Sequence, residues 1–262
     1  MNKKVILISI DGMRPDGFLE CKNPYVNELM ERSTYCLKAS SVMPTVTLPC
    51  HLSIFMSVPP ERHGTETNVY VPPVRPVEGL FEAVKRNGKR CAMFYGWEEL
   101  RDVSRPGSLD RAVLSECYTR EDNDSYLTDL ALEYMAEAAP DFLFLYLVDT
   151  DTKGGHDNGW MSEEYLKYVS RAIDCVKRVI EKAADEYTVI VTADHGGHAR
   201  GHGADMPEDM NIPMFFCGSD FCGGSTLSGI SLLDIAPTVA ELLEIVPPRE
   251  WEGRSVLGEL LD

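Results

Sequence analysis

Three strongly apolar segments of this sequence each end at an aspartate, and this pattern restricts the fold more than any other feature. The segments, with the aspartates that follow them, are Val5–Ile10 with Asp11, Phe142–Val148 with Asp149 and Asp151, and Tyr187–Ala193 with Asp194. Short continuous apolar runs are typical of strands buried on both faces of a parallel sheet. Because ligands bind beyond the carboxyl ends of such strands, we expect the aspartates to converge at one edge of the sheet.

The rest of the chain alternates helical and strand patterns. Helices are predicted at Pro24–Met30, Val77–Asn87, Ser125–Ala138, Glu163–Ala184 and Ser231–Glu244, and further strands at Arg90–Tyr95 and Pro213–Cys217. This alternation predicts an α/β three-layer sandwich with a largely parallel central sheet flanked by helices. With no linker and 262 residues, we expect a single domain over residues 1–262, without a large cap domain.

The chain is acidic, with 42 aspartates and glutamates against 25 lysines and arginines and a net charge of −17. Such a surface repels nucleic-acid backbones and anionic membranes, so we expect no binding of nucleic-acid polymers and no membrane partner. A small phosphate-bearing substrate would need local positive charge, which bound metal ions can supply. The first residues do not resemble a secretory signal, so a cytoplasmic location and reduced, buried cysteines are expected.

Imidazoles occur near two of the strand ends that carry aspartates. These histidines are His156, His195, His198 and His202. A mixture of carboxylate and imidazole ligands suits zinc and similar first-row ions, whereas an all-oxygen set would favour magnesium or calcium. His51 and His63 lie apart in the sequence and are interpreted as structural.

Thr47 is the candidate nucleophile. It precedes the apolar stretch Leu48–Met56, and Pro49 near the start of that stretch favours a helix whose N-cap is Thr47. Coordination of its hydroxyl to a divalent metal would lower the hydroxyl pKa and make an alkoxide available near neutral pH. From this segment alone, a purely structural cap is the simpler interpretation.

Several motifs together resemble the alkaline phosphatase superfamily, and within it the type I phosphodiesterase/nucleotide pyrophosphatase branch. In chain order the matching pieces are ISIDGMRPD, PTVTLPCH, ERHGTETN, YLVDTDTKGGH, TADHGGH followed by GHG, DIAPTVAELL and WEGRSVL. They extend over almost the whole chain in the order of the family, which makes the resemblance far more specific than an isolated DHG would be.

The resemblance implies a site with two divalent metals, zinc or manganese. One metal would be held by Asp11, Thr47, Asp194 and His195, and the other by Asp151, His156 and His202. Asn68 matches an asparagine that helps to hold a phosphoryl oxygen in the family. The implied reaction is hydrolysis of a small phosphoester through a covalent phosphothreonine at Thr47, with diester or pyrophosphate cleavage as the preferred activity.

The sequence departs from the family pattern at two places, and the choice of one histidine ligand stays open. Cys50 stands where the diesterases usually have asparagine. His156 follows Asp151 by five positions instead of four, so either Gly154-Gly155 absorbs the extra residue in a loop, or Asp149 or another group is the ligand. His198 lies close enough to the DHG turn to compete with His202 as a ligand.

The sequence is compatible with other functions as well. A phosphomonoesterase or a phosphonate hydrolase of the same superfamily is the main alternative, and a non-catalytic metal-binding relative is a more distant one. A sulfatase would need Cys or Ser in a C/S-x-P-x-R pattern, whereas the chain has Thr47 and no arginine at the matching place. A mutase would normally carry an inserted cap domain. The oligomeric state is not predicted.

Overall fold

The computed structural model describes residues 4–183 and 186–261. These residues contain one sheet of seven strands. The strands are β1 Lys4–Ile10, β2 Ser33–Ser40, β3 Cys91–Tyr95, β4 Arg111–Leu114, β5 Phe142–Leu147, β6 Tyr187–Thr192 and β7 Asn211–Cys217. Their order in the sheet is β2-β7-β6-β1-β5-β3-β4. Only β7 runs against its neighbours, so six strands share one direction. The predicted fold class is therefore confirmed.

Helices cover both faces of the sheet. They are α1 Pro15–Glu20, α2 Tyr25–Arg32, α3 Thr47–Met56, α4 Pro60–His63, α5 Leu80–Arg86, α6 Asn123–Ala138, α7 Glu163–Ala183, α8 Pro207–Met210, α9 Ile235–Leu242 and α10 Leu257–Leu261. Helices α1, α2, α6 and α7 pack on one face, while α3, α5 and α9 pack on the other. Short 3-10 helices are formed by Glu98–Val103, Cys117–Thr119 and Leu232–Asp234.

The three central strands place the aspartates at one edge of the sheet. β1 lies between β5 and β6 and is parallel to both, so their carboxyl ends coincide. The backbone N–H of Asp11 donates to the carbonyl of Leu147 at 2.9 Å, which extends the pairing of β1 and β5 into the site. All three strands are buried almost throughout, because helices cover both faces.

Two strands were not predicted from the sequence. The edge strand β4 is mostly exposed, and β2 has the mixed burial of an outer strand, so neither shows a continuous apolar run. Strand β2 pairs with β7 through non-local hydrogen bonds that local pattern does not reveal. The predicted helix Glu163–Ala184 is confirmed to Ala183; Ala184 lies outside the described residues.

The eight cysteines are all free thiols, and only Cys222 is not buried, as predicted for reduced core cysteines. Within the described ranges, no helix combines the length and the apolarity that crossing a membrane requires.

Candidate metal centre

The first cluster at the carboxyl edge combines Asp11, Asp194 and His195, all fully buried. The His195 Nε2 atom lies 3.4 Å from Asp11 Oδ1 and 3.3 Å from Asp194 Oδ2. Potential ligand atoms of all three residues thus lie within 4.8 Å of one another. The cluster brings together the three charged or imidazole ligands predicted for one metal.

The second cluster combines Asp151, His195 and His202. The Nε2 atom of His202 is 3.9 Å from Asp151 Oδ1, and the rings of His195 and His202 stack with centroids 4.0 Å apart. The Nε2 atom of His156 lies 3.4 Å from Asp151 Oδ2, on the more exposed side of the cluster. The structure thus places the residues predicted for the second metal together, with His195 between the two groups.

Hydrogen bonds to backbone carbonyls hold each of these histidines in one tautomer. The Nδ1 atom of His156 lies 3.0 Å from the carbonyl oxygen of Arg200. The Nδ1 atoms of His195 and His202 lie 2.8 Å and 2.7 Å from the carbonyl oxygens of Gly196 and Thr45, respectively. A carbonyl oxygen only accepts, so Nδ1 must donate and Nε2 keeps its lone pair. This is the arrangement that orients imidazoles as metal ligands.

The carboxylates carry buried oxygens without hydrogen-bond partners, namely Asp11 Oδ1, Asp151 Oδ1 and Asp194 Oδ2. Burial raises the pKa of Asp11 well above its ordinary value, and the negative charges of Asp151 and Asp194 raise it further. Burial likewise raises the pKa of Asp151 to about 6. Unpaired buried carboxylates are costly unless a cation compensates them. The donor set therefore fits divalent cations, with imidazole and carboxylate together favouring zinc or manganese.

Burial and the neighbouring His195 lower the pKa of His202 to about 3. An imidazole with so low a pKa is neutral at physiological pH, which is the protonation state that a metal requires of a ligating histidine.

Thr47 is the first residue of α3, and Val46 is the N-cap. The prediction that Thr47 itself caps the helix was wrong by one position, because the first helical hydrogen bond runs from the N–H of Cys50 to the carbonyl of Val46. The Thr47 hydroxyl makes no capping bond and instead lies 3.2 Å from His195 Nε2. It is thus placed between the helix terminus and the first cluster.

Asn68 lies beside the start of the same helix. Its Oδ1 accepts a hydrogen bond from the N–H of Leu48 at 3.1 Å, while the residue as a whole is exposed. That bond fixes the orientation of the side-chain amide and leaves its NH₂ group as the donor available to a ligand.

The spacing of five residues between Asp151 and His156 is accommodated by a π-helix over Thr150–His156. A π-helical turn contains one more residue than an α-helical turn and occurs frequently at functional sites. The extra residue is therefore absorbed by helical winding, and Asp151 and His156 still face each other. A loop at Gly154-Gly155 was the structural explanation considered from sequence; the segment is helical instead.

Asp149 points away from the histidines and takes part in a separate buried network. Its Oδ1 lies 2.9 Å from the Lys153 Nζ, which also donates to the carbonyls of Arg120 and Glu121 at 2.7 and 3.2 Å. Asp124 accepts from the N–H groups of Val148 and Asp149 at 2.9 and 3.2 Å. This network supports the π-helix that carries Asp151 and His156.

Replacing Lys153 with methionine is expected to lower the free energy of unfolding by about 3–5 kcal/mol, because Asp149 would remain buried without its cation. Urea unfolding followed by circular dichroism measures this difference. The matched control is Lys167→Met, since Lys167 pairs with Glu164 on the exposed surface, where solvent screening leaves an ion pair with little effect on stability. Equal destabilisation by the two substitutions would contradict the structural role of Lys153.

Three other residues that the sequence analysis discussed belong to neither cluster. His198 donates toward the buried Asp209 at 2.8 Å and belongs to neither cluster. His63 contacts Ser53 and the carbonyl of Pro49, in agreement with a structural role. Cys50 is fully buried, with its thiol against Ser41, so it does not line an open pocket beside Thr47.

Sequence reasoning missed two residues that pack against the clusters. His51 was interpreted as remote, yet its Nδ1 lies 3.5 Å from Asp194 Oδ2. Trp160 lies edge-on to the ring of His156 at 5.2 Å, and its indole N–H donates to the carbonyl of Gly12 at 2.9 Å. The two Gly-Gly pairs of the sequence are the feature that relates to Trp160, because its ring packs against them. A Cβ atom at Gly155 or Gly197 would lie only 2.5 or 2.2 Å from that ring.

A family model for type I phosphodiesterase / nucleotide pyrophosphatase matches residues 5–200. The chain belongs to this family. Residues 5–200 include Thr47, Asn68 and the aspartates and histidines of both clusters except His202, which follows the matched region by two residues.

Curated relatives of this type I phosphodiesterase family member include two mutases. The phosphopentomutase of Clostridium novyi (strain NT) is 28% identical over 189 residues, covering 72% of this chain and 45% of the mutase. The 2,3-bisphosphoglycerate-independent phosphoglycerate mutase of Clostridioides difficile (strain 630) is 29% identical over 140 residues, covering 51% of this chain and 27% of the mutase. The chain thus spans less than half the length of either relative.

Solved structures confirm the alkaline phosphatase-like fold. Murine ectonucleotide pyrophosphatase / phosphodiesterase 5, solved as an inactive threonine-to-alanine variant with AMP, matches with a TM-score of 0.81 and 15% identity over 99% of both chains. A phosphonate monoester hydrolase from Silicibacter pomeroyi matches with a TM-score of 0.78 and 14% identity, over 99% of this chain and 76% of the hydrolase.

Proposed function

We propose that this protein is a metal-dependent phosphodiesterase or nucleotide pyrophosphatase that acts through a phosphothreonine at Thr47. The observation that carries the proposal is the position of the Thr47 hydroxyl, 3.2 Å from His195 Nε2 at the start of α3. A nucleophile at this place faces both the positive end of a helix and the buried carboxylate–imidazole clusters. Family membership and the inactive threonine variant of the murine relative support the same assignment.

The side chains have distinct roles in this proposal. Two divalent cations, held by the residues of the two clusters, would supply Lewis-acid stabilisation of the developing negative charge. The Thr47 Oγ1 atom forms a bond to phosphorus as the bond from phosphorus to the leaving-group oxygen breaks; the hydroxyl proton passes to water, and the leaving group departs with its oxygen and the electron pair of the broken bond. Water then hydrolyses the phosphothreonine and regenerates the hydroxyl. The NH₂ group of Asn68 donates to a non-bridging phosphoryl oxygen.

The charge around the carboxylates supports a diester over a monoester. Within the described ranges, the ion-pair partners of Asp11, Asp151 and Asp194 are histidines, and no lysine or arginine pairs with them. A phosphomonoester carries one more negative charge than a diester and needs an additional cation to hold it. The neutral Asn68 lies beside the residue that follows the nucleophile and offers an uncharged donor, which suits the single charge of a diester.

Phosphomonoester hydrolysis is the second candidate function, and the position of Arg200 beside His156 favours it. The backbone carbonyl of this exposed residue accepts from His156, and its guanidinium donates to the carbonyl of Asp157 at 2.5 Å. An arginine at this rim could hold the extra charge of a monoester bidentately.

The experiment compares bis-p-nitrophenyl phosphate, p-nitrophenyl phosphate and an aryl phosphonate monoester, with metal content measured on the same samples. A kcat/KM at least about tenfold higher for the diester, unchanged in Arg200→Gln, is the expected result, since it corresponds to about 1.4 kcal/mol of transition-state discrimination. A preference for the monoester that Arg200→Gln abolishes would replace the proposal with the second candidate. Two bound metals without cleavage of any of the three would indicate a non-catalytic metal-binding relative.

The proposed partner is a small phosphoester, bound in the cytoplasm without a nucleic-acid polymer. The net charge of −17 supports this choice, since it opposes the approach of polyanions while the cluster cations attract a single phosphoryl group.

A further inference from the structure

Tyr146 is a fully buried residue of β5 that is absent from both candidate ligand sets. It pairs in register with Ser9 of the neighbouring strand β1, two residues before Asp11. Its hydroxyl donates a hydrogen bond to Asp11 Oδ2. A phenol bonded to a buried carboxylate makes a charge-assisted hydrogen bond, which is stronger and more directional than a neutral one.

This bond distinguishes the two oxygens of Asp11. Oδ2 is occupied by the phenol, whereas Oδ1 has no hydrogen-bond partner and lies 3.4 Å from His195 Nε2. The unpartnered oxygen is therefore the one that faces the first cluster. We propose that Tyr146 is a positioning residue, which fixes the Asp11 carboxylate so that Oδ1 alone is presented to the metal.

The position of Tyr146 is in turn coupled to the helix that carries the nucleophile. Its ring packs at 88° to the ring of His51, with centroids 5.0 Å apart. His51 lies one helical turn after Thr47, and its ring nitrogens lie 2.8 Å from the Thr47 carbonyl and 3.0 Å from the Ser9 hydroxyl. The phenol is thus held between β1 and α3, so that the orientation of Asp11 depends on the same packing that places Thr47.

The inference rests on metal binding in the proposed function, but not on hydrolysis, and its test measures binding. In Tyr146→Phe only the hydroxyl oxygen is removed, so the ring packing against His51 is kept. Affinities for Zn²⁺ and Mn²⁺ are measured by competition with a chromogenic chelator, and the absorption spectrum of the Co²⁺-loaded protein reports ligand geometry. We expect about 10–100-fold weaker binding at one of the two sites, the usual effect of losing a partner of a metal ligand, and an altered Co²⁺ spectrum.

The matched control is Tyr165→Phe. Tyr165 is also fully buried, and its hydroxyl donates to the carbonyl of Gly12 at 3.0 Å and accepts from the N–H of Arg14 at 2.9 Å; within residues 4–183 and 186–261 it makes no hydrogen bond to a carboxylate. Loss of this hydroxyl in Tyr165→Phe is expected to lower the melting temperature by about as much as Tyr146→Phe does. The metal affinity and the Co²⁺ spectrum of Tyr165→Phe should be unchanged.

Wild-type metal affinity in folded Tyr146→Phe would overturn the inference and leave the proposed hydrolysis untouched. Equal losses of affinity in the two variants would also overturn it, because the effect would then follow from any missing buried hydroxyl. Weaker binding in Tyr146→Phe alone supports the inference even if the wild-type protein cleaves no phosphoester, in which case only the proposed function fails.

Discussion

Replacing Thr47 with alanine is expected to reduce phosphodiester hydrolysis by about 10⁴-fold or more while the metal content stays unchanged, since loss of a nucleophile removes the covalent route. The clusters retain their carboxylates and imidazoles in this variant, because Thr47 contributes only its hydroxyl beside His195. Initial rates with bis-p-nitrophenyl phosphate and metal analysis of the same samples measure the two quantities.

Thr47→Ser is the control for this result, because it keeps a hydroxyl at the start of α3. Acid-quenched samples of the wild type and of Thr47→Ser with this diester should show, by intact-mass spectrometry, enzyme that carries one nitrophenyl-phosphoryl group, and Thr47→Ala should not. Undiminished turnover in Thr47→Ala, or phosphorylation of it at the wild-type level, would exclude Thr47 as the nucleophile.

Removal of the metals is expected to abolish hydrolysis and to lower the melting temperature by about 10 °C. This shift is the one expected when a protein loses a ligand that was present at about a thousand times its dissociation constant. The physical reason is that Asp11, Asp151 and Asp194 are buried together, each with an oxygen that has no hydrogen-bond partner. Without a cation, their mutual repulsion and their desolvation both destabilise the folded state. Differential scanning fluorimetry after chelation, and again after addition of zinc or manganese, measures the change.

Asp11→Asn is the matched control for metal removal. The amide oxygen can still accept from Tyr146, while the substitution removes a carboxyl group whose charged form is disfavoured by burial and by the neighbouring Asp151 and Asp194. The metal-free variant should therefore be no less stable than the metal-free wild type, but should gain much less stability when metal is added. A wild-type protein whose melting temperature is indifferent to chelation would contradict the assignment of both clusters to cations.

The sequence predicted those features that depend on local pattern. The buried strands β1, β5 and β6 appear as continuous apolar runs, because strands covered on both faces need apolar side chains at every position. Since parallel strands end at the same edge, the aspartates that follow these runs were expected to converge, and the structure brings them together. The roles of Asp11, Asp194 and His195 as ligands stay predictions that the metal measurements test.

The choice between neighbouring candidates depended on side-chain direction, which spacing alone does not determine. Asp149 and Asp151 are two residues apart, yet one pairs with Lys153 while the other faces His156 and His202. The π-helix that turns Asp151 toward His156 has no signature in local composition.

Local sequence thus determined the layered α/β fold and the strand ends that carry the site, because burial on both faces of a sheet requires apolar runs. Only the tertiary structure decided which side chains meet there. The contacts of Tyr146 with Asp11 and of His51 with Asp194 join residues 135 and 143 positions apart. Such contacts arise from the packing of β5 and α3 around β1, so no local pattern encodes them.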